Sequence, residues 1–262
     1  PAVAGRRLPL SLPRKWVADL MHISRGVPVV TFERRMSLAP VAAARAALPA
    51  RPPWVVLFAK AFAVVAASRP ELRRSYVRWT TPHLYEAAET VVSVAVERDY
   101  QGEPAVFFGQ LRAPDSQPVP QLAAAVRDWQ TAPVESVRTF ARLIRYTRLP
   151  RPVRRLMWWW GTASGRRRAK NFGTAGLSVT AAAGAWAQNL IGPVAVALNY
   201  GPFDPHWGLG VRLHFDHRVL DGMVAARALA EMEAVLNGAI RDELSAGQRP
   251  GAAAPGPHPR VA

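Results

Sequence analysis

The sequence predicts an α/β fold in one large domain, and three observations carry the prediction. Stretches with a two-residue apolar period are interleaved with longer stretches of helical period. A chain of 262 residues is long enough for one substantial core. Half of its residues are hydrophobic, which excludes a disordered chain. Residues 1–10 read as an arm with little periodicity, residues 11–245 as the folded domain, and residues 246–262, rich in Gly, Ala, Pro and Arg, as a disordered tail. Leu12 to about Ser24 has a helical pattern, and Pro28 to Glu33 reads as a strand. Ser37 is placed to cap a short helix running to about Leu48. Trp54 to Ser68 reads as a mostly buried helix ended by Arg69-Pro70. Thr90–Tyr100 and Pro104–Leu111 form a hairpin around Gln101-Gly102-Glu103. Pro118 to about Arg145 is helical with a break near Ala132-Pro133. Ala175–Thr180, Pro193–Tyr200 and Gly208–Phe215 supply further strands, and Met223 to about Leu244 a long amphipathic helix.

The chemistry concentrates where the last strand meets that helix. Alternation puts Val211, Leu213 and Phe215 on one face and Arg212, His214 and Asp216 on the other, so His217 falls on the apolar face where the strand runs out. An imidazole at the lip of an apolar pocket is kept neutral, the form a general base needs. Asp221 is placed to cap the following helix with its carboxylate.

Phe215-Asp216-His217-Arg218-Val219-Leu220-Asp221-Gly222, followed by an alanine-rich helix, resembles the active-site signature of the dihydrolipoamide acyltransferases. These form the catalytic cores of 2-oxoacid dehydrogenase complexes and are relatives of chloramphenicol acetyltransferase. Weaker matches follow the family's order over roughly residues 8–245: Leu8-Pro9-Leu10-Ser11 with Arg14-Lys15, Ala61–Ala67 closed by Arg69-Pro70-Glu71-Leu72, Val91–Val96, and Gly173-Thr174 with Leu177-Ser178. The resemblance implies a chloramphenicol acetyltransferase-like two-layer α/β sandwich, with a mixed sheet packed by helices. It also implies a trimer, or a higher assembly of trimers, whose active sites lie between subunits.

In such a site His217 would deprotonate the acceptor. Ser178 would stabilise the tetrahedral oxyanion, a contribution worth several kcal/mol; Thr180 competes for that role, and Thr174 does so more weakly, because Val179-Thr180-Ala181 departs from the family's asparagine-bearing segment. Asp221 would pair with an arginine to fix the histidine loop, with Arg14 the matching position and Lys15 or Arg218 as alternatives. His206 and His214 are expected to be surface or packing residues. The implied co-substrate is a coenzyme A thioester or an acyl carrier protein, with no bound cofactor. The acceptor is a hydroxyl, amine or thiol; because the chain starts almost at the core, without the family's lipoyl domain, the expected activity is that of a stand-alone acyltransferase. Two alternatives are a lipoamide acyltransferase core of a 2-oxoacid dehydrogenase complex and a non-catalytic oligomeric or membrane-associated scaffold.

Composition bounds the rest. With no cysteine, disulfides and thiolate chemistry are excluded, which fits a cytoplasmic setting. No His/Asp/Glu cluster has metal-ligand spacing, so no metal is expected. Thirty-four basic residues against eighteen acidic ones give a net charge of +16, a field that attracts anions. Between Arg142 and Arg168, Trp158-Trp159-Trp160 and Arg166-Arg167-Arg168 join aromatic to cationic side chains. That pairing suits a substrate nucleotide, an acidic carrier protein or an anionic membrane surface to which the chain is peripheral. The bland reading is tryptophans packed beneath a solvated arginine face. Nucleic acid is disfavoured because no recognised binding fold accompanies the segment.

Overall fold

A computed structural model describes residues 8–185, 187, 188, 190 and 192–247. The tail from 248 and the first seven residues of the arm lie outside the described residues. One six-stranded mixed sheet organises the chain: β1 (Val29–Ser37), β4 (Val91–Tyr100), β5 (Glu103–Arg112), β6 (Ala175–Leu177), β7 (Val196–Tyr200) and β8 (Gly208–Asp216). Their order across the sheet is β1-β8-β7-β6-β4-β5. The β4–β6 and β6–β7 pairs are parallel and the other three antiparallel. A separate hairpin joins β2 (Arg74–Val77) to β3 (His83–Glu86).

The first sheet face carries Val92, Val94 and Val96 of β4 and is covered by α3 (Trp54–Ser68), α4 (Val119–Thr131) and α8 (Gly222–Val235). Apart from Lys60 and the terminal Ser68, α3 is apolar, as befits a helix buried on almost every side. Burying each of Val56, Leu57, Phe58 and Phe62 contributes about 1.5–3 kcal/mol. The Lys60 ammonium is held by the Gln117 carbonyl at 2.6 Å and Glu243 at 2.7 Å, so its charge is compensated. A π-turn over Leu236–Ile240 links α8 to α9 (Arg241–Ala246).

At the β5 edge α1 (Leu12–Ser24) and α5 (Arg138–Thr147) pack through Trp16 and Phe140 on Phe107 of the first face, and with α6 (Arg151–Thr162) they also overhang the second face. Asp19 of α1 is buried there between Arg154 at 2.6 Å and Arg155 at 3.6 Å. One row of this face runs across all six strands: Thr31, His214, Ala197, Gly176, Ser93 and Gln110. Its centre has unusually small side chains.

Several expectations change. Ser37 ends β1 and does not cap α2 (Ala39–Ala46); Leu38 stands at the cap with no side-chain bond, and the Ser37 N–H donates to Glu233 instead. The β2–β3 hairpin, α6 and α7 (Gly165–Phe172) were not anticipated. Arg142–Arg168 thus spans the end of α5, all of α6 and the start of α7. Start signals for two of them were present: Pro152 in the first turn of α6, and Ser164, whose hydroxyl accepts the Arg167 N–H at 3.3 Å.

The Gly173-Thr174 pair is structural. Gly173 has φ +84°, and a Cβ there would lie 2.7 Å from the Val91 carbonyl, so only glycine fits. The Thr174 N–H donates to Val91 O and its Oγ1 accepts the Val91 N–H, which docks β6 on β4. Thr174 is buried, and its hydroxyl is engaged with the Val91 backbone.

Candidate active site

β8 ends at Asp216, and the turn beyond it is fixed by that residue. The buried Asp216 carboxylate accepts three bonds from Arg218: from the backbone N–H at 3.0 Å, Nε at 2.9 Å and Nη2 at 2.7 Å. The Arg218 guanidinium also lies over the Tyr76 ring, 4.3 Å from its centre. The Asp216 carbonyl receives the N–H groups of Val219 and Leu220. His217 is thereby swung out of the strand's alternation, and its side chain is 54 % exposed. Its ring centre lies 5.8 Å from that of Phe215, the two planes inclined at 69°. His217 is therefore presented at the surface rather than enclosed by a pocket.

Asp221 stands at the α8 N-cap, but its side chain makes no cap bond; its carbonyl receives Val224 and Ala225. The exposed carboxylate lies 3.8 Å from His217 Nδ1, too far for a hydrogen bond. Gly222 follows because a Cβ there would come 2.5 Å from the Phe32 ring.

The expected Asp221–Arg14 pair does not form within the chain. Arg14 opens α1, which packs at the β5 edge, whereas α8 packs beside β1 at the opposite edge. No ion pair to Lys15 occurs among the described residues, and Arg218 is taken by Asp216. The arginine that fixes the histidine loop is thus paired with Asp216, the residue whose role the sequence reading missed. Its signal was an aspartate and an arginine on either side of the histidine.

Ser178 follows β6 directly and donates its N–H to Leu198 O at 3.1 Å. Among the described residues its hydroxyl has no partner, and it borders a cavity of about 390 Å³ between the second sheet face and α1, α5 and α6. Thr180 already donates its hydroxyl to Ala185 O at 2.8 Å, which favours Ser178 as the free donor. His217 does not line this cavity. Within one chain, then, His217 and the Ser178 hydroxyl do not share this cavity.

The three tryptophans diverge. Trp158 and Trp160 line the cavity, with Trp158 stacked on Phe172 at 5.3 Å. Trp159 meets Trp79 edge-on at 5.1 Å on the outside. The Arg167 guanidinium covers Trp160 at 3.8 Å. Arg168 donates to Tyr76 O, and burial holds its pKa below the usual arginine value; Arg166 is exposed.

His206 lies exposed in a turn, whereas His214 is the buried histidine, 1 % exposed. Asn199 gives its amide N–H to Ala187 O, so its Oδ1 accepts from His214 Nε2 at 3.3 Å, and Nδ1 accepts the Thr31 hydroxyl at 2.8 Å. Burial, reinforced by Arg212, pushes the His214 pKa down from 6.5 to about 4. The unfolded chain therefore takes up this proton first. Stability is full above pH 6.5 and is lost as pH falls toward about 4, by up to roughly 3 kcal/mol. Denaturant unfolding at about pH 7 and about pH 5 should show this loss in the wild type and a reduced loss in His214→Gln; equal slopes would refute the assignment.

No protein-family model and no curated protein sequence matches the chain. Solved structures do match. The dihydrolipoamide acetyltransferase of Azotobacter vinelandii aligns at 20 % identity over 93 % of this chain and 98 % of that one, with a TM-score of 0.67. The cubic core of a pyruvate dehydrogenase multienzyme complex aligns at 19 % over 93 % and 98 %, with 0.65. A chloramphenicol acetyltransferase aligns at 14 % over 82 % and 92 %, with 0.50. The fold is therefore that of the dihydrolipoamide acetyltransferase cores and of chloramphenicol acetyltransferase. Among the described residues no helix is long and apolar enough to cross a membrane.

Proposed function

We propose that the protein is an acyltransferase that moves an acyl group from a thioester donor, coenzyme A or acyl carrier protein, to a hydroxyl, amine or thiol. The observation that carries this reading is the outward-facing His217 with Asp221 four residues on, at a strand–helix junction in this fold. The Azotobacter enzyme is described for the role of a serine, a histidine and an asparagine in its catalytic mechanism, with the last two also four positions apart. The net charge of +16 suits the phosphates of coenzyme A or an acidic carrier.

In the proposed reaction His217 Nε2 takes the acceptor's proton while the acceptor attacks the thioester carbonyl carbon. The carbonyl oxygen becomes an oxyanion facing the Ser178 hydroxyl. Collapse breaks the carbon–sulfur bond, and the departing thiolate takes the proton back from the imidazolium. Because His217 and Ser178 do not share this cavity in one chain, the site is completed between two subunits of a trimer. A second reading, lipoamide as the thiol partner, is supported by the same structural likeness to the pyruvate dehydrogenase core.

Two measurements test this. Ser178→Ala should lower transfer from an acyl-thioester by about 10²–10³-fold, whereas Thr180→Ala should change it little. Mixing His217→Ala and Ser178→Ala chains before assembly should restore about a quarter of the sites, each pairing an intact histidine with an intact serine. No recovery in verified mixed oligomers would place both groups in one chain or neither in the reaction.

A further inference from the structure

We infer that the cavity beside Ser178 is an acyl-chain site and that the transferred group is a medium- to long-chain acyl rather than acetyl. This rests on the reading of Ser178 as the oxyanion donor. The oxyanion belongs to the acyl carbonyl, and the acyl chain hangs from the same carbon. A hydroxyl that touches one must therefore stand at the mouth of whatever space holds the other.

That space is built into the sheet. Ala197, Gly176 and Ser93 lie side by side on β7, β6 and β4, with Ala95 two residues along β4. Parallel strands in a covered sheet usually carry Val or Ile, whose bulk would fill this level. The roof keeps its distance through Trp158, Trp160 and Met157 of α6, and Phe108 closes one side. Among the polar wall residues, which also include Gln110, Thr139, Arg142 and Asn171, Ser93 and Arg154 are already bonded within the chain, to Phe172 O and Asp19. A methyl group needs about the room of one water, roughly 30 Å³. The cavity, at about 390 Å³, holds on the order of ten times that volume. An acetyl group would leave most of this apolar surface uncovered, and an extended alkyl chain would cover it.

The experiment uses S-ethyl, S-hexyl and S-dodecyl pantetheine, non-transferable thioethers sharing the arm common to coenzyme A and carrier-protein donors. They are titrated calorimetrically into the intact protein. Affinity should rise about fourfold per added methylene until the cavity is full. Ala95→Leu and Ala197→Leu occupy the floor from two different strands. Each should weaken S-dodecyl binding by at least about tenfold while S-ethyl binding changes little. Melting curves identify a variant that has lost its fold, in which case the other supplies the result. Equal affinity for S-ethyl and S-dodecyl pantetheine, or undiminished S-dodecyl binding in a folded Leu variant, would overturn the inference. Transfer measured in parallel separates the two claims. Length-dependent binding without transfer from any donor removes the acyltransferase reading and keeps the chain site. Transfer without any length dependence does the reverse.

Discussion

Replacing His217 by Ala is expected to lower acyl transfer by about 10²–10⁴-fold, the usual contribution of a positioned general base. The melting temperature should hardly move. The side chain is half in solvent, its ring lies beside Phe215 and near Asp221, and its backbone N–H bond to Pro28 survives the substitution. That contrast gives the experiment its force, because a loss of rate without a loss of stability cannot be ascribed to unfolding. The histidine loop is instead fixed by Asp216, so Asp216→Ala should damage both rate and stability. Equal transfer by wild type and His217→Ala would reduce the chain to an oligomeric scaffold with a familiar fold.

Asp19→Ala should produce the largest loss of stability, about 3–5 kcal/mol in denaturant unfolding. The aspartate lies between two arginines under α6, and its removal leaves Arg154 buried with its charge unanswered. The penalty belongs to the orphaned charge rather than to the bond itself. A double variant, Asp19→Leu with Arg154→Met, should therefore recover most of the loss. If the double variant is no more stable than the single one, packing around Asp19 rather than charge sets the cost. Since α6 carries Trp158 and Trp160, the single variant should also weaken binding in the cavity.

The strands and helices with a regular period were legible in the sequence: α1, α3, the β4–β5 hairpin and β8 follow from alternation and punctuation alone. α6 was not, because arginines and tryptophans occur on both its wet and its dry sides and hide the apolar stripe. The two histidines of β8 show the limit more sharply. Alternation correctly separates His214 from Leu213 and Phe215, but it cannot say that the second sheet face is also covered. Nor can it say that the Asp216 turn rotates His217 outward. The buried imidazole is the one at 214, and the one at 217 is exposed. Ser178 was legible only through resemblance; its free hydroxyl, and the commitment of Thr180 to Ala185, depend on a loop conformation that no local pattern encodes.

The strand that presents His217 pairs on one side with β1, in a register that sets Val29 against Asp216. Those partners stand at opposite ends of the folding unit, so a nascent chain emerging from the ribosome holds β1 without a neighbour until nearly everything else has been made. Topology of this kind slows folding and leaves a sticky edge waiting. The reactive end of the molecule is thus the last part to be zipped shut, and any C-terminal truncation that removes β8 strips β1 of its cover at the same stroke.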